Sequence, residues 1–139
     1  MSSISINELS HSLIGAAIEV HRELGPGLLE SAYETAYSYE LKLRGIAHTR
    51  QQAMPIVYKG VPLDSGYRID ILAENRVIIE LKTVEKLIPL FSTQVLTYLR
   101  LGGYPLGLLM NFNVPKLIDG IERISNHAPD LSAPPRSPR

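Results

Sequence analysis

Residues 67–83, Tyr-Arg-Ile-Asp-Ile-Leu-Ala-Glu-Asn-Arg-Val-Ile-Ile-Glu-Leu-Lys-Thr, leave this chain few folds to choose from. Ile69, Ile71 and Ala73 share one face of an extended segment, and Val77, Ile79 and Leu81 share one face of the next, with Glu74, Asn75 and Arg76 between them as a turn. The pattern predicts a β-hairpin. Both apolar faces enter one core only if odd positions face odd ones, because a one-residue slip turns a strand inside out. A three-residue loop then makes paired residue numbers sum to 150. In that register Asp70 faces Glu80 on the opposite side of the hairpin, with Cβ atoms about 4.5 to 5.5 Å apart. Lys82 lies on that same side.

The flanking sequence predicts an α/β (α+β) domain in αβββαβ order. Leu9, Leu13, Ala16, Ala17, Val20 and Leu24 recur at helical spacing over residues 7–24, with Asn7 as N-cap and Gly25-Pro26-Gly27 as the stop. Leu28, Leu29, Ala32, Ala36, Tyr39 and Leu43 then predict a second helix over 28–44, closed by Gly45. Residues 47–52, 54–58 and 61–63 read as extended pieces, with Lys59-Gly60 as a tight turn and Pro55 and Pro62 at irregular or edge positions. Pro89 starts a third helix carrying Val95, Leu96, Leu99 and Leu101, ending at Gly102-Gly103. The run 106–112 is almost continuously apolar, as in a strand buried on both faces. Strand 77–83, helix 89–101 and strand 106–112 make a βαβ crossover with parallel strands, so the central sheet is mixed and flanked by helices. Residues 114–125 form a short helix or an edge element. The expectation is one domain over 1–127 and a disordered tail over 128–139, which holds four prolines.

Composition removes several chemistries. The 139 residues include no cysteine, which excludes disulfides, thiolate metal sites, cysteine nucleophiles and cysteine-bound iron–sulfur clusters. No basic, apolar leader opens the chain, and its longest uncharged stretch, 101–115, is too short and too broken by glycine and proline to span a bilayer. The cytoplasm is therefore the expected location. Fourteen basic and fourteen acidic residues cancel overall, but residues 1–40 hold six acids and one base, against thirteen bases and eight acids afterwards. A polyanion would meet the second part.

Two carboxylates facing each other across a hairpin repel, and burial sharpens the repulsion. Lys82 offsets one charge. A divalent cation would offset the remainder, taking Asp70, Glu80 and the backbone carbonyl of Leu81 as hard oxygen ligands. Such a centre beside an ammonium suits phosphodiester hydrolysis, which needs an activated water and positive charge around the reacting phosphorus.

Asp70, nine residues, then Glu80-Leu81-Lys82 resembles the Asp…Glu-x-Lys signature of the PD-(D/E)XK nuclease superfamily, whose restriction-endonuclease-like core is similar to the order of elements above. Gly27-Leu-Leu-Glu30-Ser-Ala-Tyr33 matches the motif of the GxxExxY protein subgroup. Gly15-Ala-Ala-Ile-Glu-Val-His21, Gly25-Pro-Gly27 and Asn111-Phe-Asn-Val-Pro115 also resemble it, so the likeness covers residues 6–124. Phe91 and Ser92 stand where that subgroup carries polar residues.

The resemblance implies Asp70 and Glu80 as ligands of Mg²⁺ or Mn²⁺, Lys82 as the group that positions water and stabilises the transition state, and Glu30 as a helix carboxylate joining the metal shell. It implies Gln94 and Tyr98, four apart on one helix face, as a substrate-binding pair, and nucleic acid, DNA more than RNA, as partner. Lys86 is the candidate phosphate contact.

Plainer readings stand beside these. Asp70, Glu80 and Lys82 also fit a solvated hairpin face, and Glu30 also fits a helix N-terminus, where its charge suits the dipole. Tyr33 and Tyr37 read as packing residues whose hydroxyls reach a partner, and His21 as a surface or capping residue. A catalytically silent binding module on the same fold is the alternative function, and a homo-oligomer is a further partner class.

Overall fold

The structure, a computed structural model, describes residues 4–54 and 56–126. Pro55, His127 and the expected tail lie outside the described residues. Helix α1 spans Ile6–Leu24 and α2 spans Glu30–Leu43. Strands β1 (His48–Ala53), β2 (Ile56–Tyr58), β3 (Val61–Leu63), β4 (Arg68–Ala73) and β5 (Val77–Lys82) follow. Helix α3 (Pro89–Gly102) leads to β6 (Leu106–Asn111), a short 3₁₀ turn at Leu117–Gly120 and β7 (Ile121–Ser125).

The main sheet runs β1-β4-β5-β6-β7, while β2 and β3 pair only with each other. β5 and β6 are parallel, with α3 as the crossover, and the remaining pairs are antiparallel. The hairpin register is the expected one: Ala73 faces Val77, Leu72 faces Ile78 and Ile71 faces Ile79. All six residues of β6 are buried. The 114–125 segment supplies both a 3₁₀ turn and the β7 edge strand.

Two apolar layers sandwich the sheet. On one face α1 and α2 pack Leu9, Leu13, Tyr33, Tyr37 and Leu41 against Ile71, Val77, Ile79, Leu81 and Met110. On the other, Val95, Tyr98 and Leu99 of α3 cover Leu72, Ile78 and Leu109. Close approach of α3 depends on Gly107, where a Cβ would sit 2.5 Å from Val95 Cγ1.

Several expectations need correction. The N-cap of α1 is Ser5, whose Oγ accepts the Glu8 N–H at 3.1 Å, so Asn7 already lies inside the helix. The buried face of α2 is Tyr33, Glu34, Tyr37, Ser38 and Leu41. Leu29 is instead 77% exposed, Tyr39 and Leu43 are exposed, and Leu24, Leu28 and Leu101 also face solvent. The aromatic stripe wins because each phenol finds an acceptor: Tyr37 donates to Leu13 O at 2.7 Å, and Tyr33 donates to Gly25 O while accepting Leu28 N–H. His21 is buried, donating from Nε2 to Phe112 O at 3.1 Å. Ile69 joins the α3 layer rather than the layer of Ile71, because β4 loses its alternation at Asp70.

Candidate active site at the open end of the hairpin

The β4–β5 ladder stops short of Asp70, so the expected rung pairing Asp70 with Glu80 does not form. Beyond the Ile71–Ile79 pair, the Leu81 N–H donates to Asp70 Oδ2 at 2.8 Å, so a side chain takes the place of a backbone acceptor. The N–H and C=O of a strand residue face the same neighbour, so the Leu81 carbonyl also points to the Asp70 side. Leu81 itself is buried in the core, which turns its neighbours Glu80 and Lys82 to the other side of β5.

Four charged groups converge there. Glu80 is pushed up to about 8, first by burial and then by the charge of Asp70, with Glu30 adding to the rise and Lys82 opposing it. Burial also raises Asp70, against the lowering effect of hydrogen bonds from Leu81 and Gln51. Burial raises Glu30 at the head of α2, and the Asp70 charge adds to it. Lys82 Nζ lies 3.9 Å from Glu80 Oε2 and 4.6 Å from the centre of the Phe91 ring. Phe91 thus gives the ammonium a cation–π seat. Glu80 Oε1 is buried without a hydrogen-bond partner, one of two such side-chain atoms among the described residues.

Each element aims its residue for a local reason. The loop entering α2 is clamped by the Tyr33 hydroxyl, which bridges Gly25 and Leu28, and Tyr33 stacks on Phe112 with ring centroids 4.7 Å apart. That clamp sets where Glu30 begins the helix. The exit of β5 is held by the buried Asn111, whose Oδ1 accepts Val84 N–H at 3.1 Å and whose Nδ2 donates to Val84 O at 2.9 Å.

Of the substrate candidates, Tyr98 is buried on α3, its ring 5.5 Å from Tyr67, and its phenol is pushed up to about 12 by burial and by the charge of Glu80. Gln94 is half-buried one turn earlier, and Lys86 is exposed beyond the end of β5. Ser92 donates to Glu122 Oε2 at 2.5 Å, tying α3 to β7.

Sequence reasoning missed Glu34 and Gln51. Glu34 is buried on α2, where Arg50 Nε donates to Oε2 at 3.0 Å and Gln51 Nε2 to Oε1 at 2.6 Å. Gln51 Nε2 also reaches Asp70 Oδ1 at 3.2 Å. The one available signal was spacing, since Glu34 stands four residues after Glu30 and so shares its helix face.

Among the described residues no group of three or more histidine, aspartate or glutamate side chains is gathered closely enough to hold a metal ion. Glu30 acts on Asp70 and Glu80 through its charge. The donor set nevertheless suits a hard cation: two carboxylates, one with a partnerless buried oxygen, and a carbonyl turned toward them.

A family model described as PD-(D/E)XK nuclease superfamily matches residues 7–124, which takes in all four charged residues. No curated protein and no solved structure matches the chain.

Proposed function

This chain belongs to the PD-(D/E)XK nuclease superfamily, and we propose that it is a Mg²⁺- or Mn²⁺-dependent nuclease that hydrolyses phosphodiester bonds in nucleic acid, DNA in preference to RNA. The GxxExxY motif around Glu30 narrows the family in this reading, residues 1–127 act as one domain, and the cytoplasm is its location. The observation that carries the proposal is Glu80: a half-buried carboxylate whose buried Oε1 has no partner, set against the charge of Asp70, with Lys82 at 3.9 Å and a backbone hydrogen bond from Asp70 only partly offsetting its rise. An arrangement that raises a carboxyl so far above its ordinary value of 4.5 costs stability unless a cation compensates it.

Asp70 and Glu80 would hold the cation with the Leu81 carbonyl, and Glu30 would join that shell from the head of α2. When bound, the cation supplies an acidified water and positive charge for the phosphate oxygens. Lys82, steadied on Phe91, orients the attacking water and stabilises charge that develops in the transition state. Gln94, Tyr98 and Lys86 face the nucleic acid, with Lys86 contacting phosphate.

Titrating Mn²⁺ into wild type and Asp70→Asn by calorimetry tests this without a known substrate. A site in wild type that weakens about tenfold or more in the variant supports the metal centre. Absence of binding below millimolar Mn²⁺ in both favours the second reading, a catalytically silent nucleic-acid or protein-binding module. The absence of a gathered three-residue metal cluster among the described residues favours that alternative, as does the zero net charge. Salt-dependent binding to DNA without cleavage would support it. Sedimentation with and without metal tests the homo-oligomer.

A further inference from the structure

We propose that Gln51 is a positioning residue, held in a strained backbone conformation so that its amide fixes the Asp70 carboxylate; its relevance to catalysis rests on the metal-site reading of Asp70. In a regular strand consecutive side chains point to opposite faces. Arg50 and Gln51 are consecutive in β1, yet both donate to the one carboxylate of Glu34, at 3.0 and 2.6 Å. The backbone of Gln51 makes this convergence geometrically accessible. Its φ is 53°, the left-handed region that a non-glycine residue seldom occupies, least of all inside a strand.

The β1–β4 register runs continuously on either side, Arg50 facing Ile71 and Gln52 facing Ile69, so the irregularity falls on Gln51 and on the facing Asp70. There too β4 breaks its alternation, with Ile69 in one core layer and Ile71 in the other. Strain at one residue thus coincides with the functional carboxylate across the ladder.

The amide of Gln51 has two protons. One goes to Glu34 Oε1 and the other to Asp70 Oδ1, while Leu81 N–H occupies Asp70 Oδ2. Asp70 is therefore gripped at both oxygens, each retaining a lone pair for a further ligand. Glu34, held by Arg50 as well, is the anchor that stops the Gln51 amide from swinging away. A Glu34–Gln51–Asp70 strut results, joining α2 to β4 across β1.

Gln51→Gly removes the amide while suiting the left-handed backbone. Gln51→Asn tolerates that backbone but is one methylene too short to span Glu34 and Asp70, so it carries the test if the glycine variant does not fold. The readouts are amide hydrogen exchange by NMR, without metal, and Mn²⁺ titration by calorimetry. Expected are exchange of the Leu81 amide faster by roughly tenfold, unchanged exchange of Leu108 and Met110 in β6, and Mn²⁺ affinity weakened about tenfold. Unchanged Leu81 exchange overturns the proposal, as does acceleration shared equally by β6, which would mark general loosening. If Leu81 alone accelerates and wild type binds no Mn²⁺, the strut stands and the metal reading falls.

Discussion

Two carboxylates flank Asp70, the buried Glu34 and the half-buried Glu80, and their surroundings differ sharply. On the α2–β1 side, Glu34 has a donor on each oxygen, Arg50 Nε and Gln51 Nε2. At the end of β5, Glu80 has one oxygen 3.9 Å from Lys82 and the other with no partner, and its carboxyl is driven up to about 8. The first region spends its polar groups on holding elements together. The second keeps charge exposed to charge inside the protein, an arrangement that only a ligand or a chemical task rewards. Burial alone therefore does not mark a functional carboxylate; at Glu80 a partnerless oxygen coincides with the neighbouring charges of Asp70, Glu30 and Lys82.

The largest expected effect lies at the unsatisfied end. Lys82→Ala should leave Mn²⁺ binding nearly intact and lower nucleic-acid cleavage by about 10² to 10⁴, assayed on mixed single- and double-stranded substrates. Equal cleavage by variant and wild type would sink the role of Lys82. At the satisfied end, Glu34→Ala strands Arg50 and Gln51 and should cost about 2 to 3 kcal/mol in urea unfolding. A loss under half a kcal/mol would erase the contrast between the two regions.

Glu80→Gln should act with the opposite sign. A carboxyl whose folded pKa is raised contributes no penalty below its unfolded value, and its destabilisation grows as pH rises through the folded value. For Glu80 that window runs from 4.5 to about 8. Without metal, Glu80→Gln should match wild type at pH 4 and be more stable by about 1 to 3 kcal/mol at pH 9, read from denaturation at each pH. Saturating Mn²⁺ should shrink that advantage by stabilising wild type alone. A variant less stable than wild type at pH 9 would contradict it. The smallest change is expected for Tyr33→Phe, which removes the hydroxyl clamp ahead of Glu30 and should cost about 1 kcal/mol, measured by thermal unfolding. A larger loss would mean that the loop entering α2 carries more of the fold than its two hydrogen bonds imply.

The hairpin and its register as far as the Ile71–Ile79 pair were legible because they depend on local quantities, a period of two and a three-residue loop. The crossover and the doubly buried β6 were legible for similar reasons, since handedness and an unbroken apolar run need no partner to be specified. The charge constellation was readable as a list of residues, but not as a geometry.

What the sequence determined by itself was thus the order of elements, the pairing of the central hairpin and the candidate charges on it. Tertiary structure alone decided which face of α2 is buried, because Leu29, Tyr39 and Leu43 compete with Tyr33, Tyr37 and Leu41 on apolarity, and only acceptors from α1 and its following loop break the tie. It also decided that His21 turns inward to Phe112 and that Gln51 abandons strand geometry to meet Glu34 and Asp70. These outcomes share one physical cause. A buried polar group goes where its hydrogen-bond partner is, and the partners here lie 8 to 91 positions away in the chain, on neighbouring elements that local periodicity does not describe.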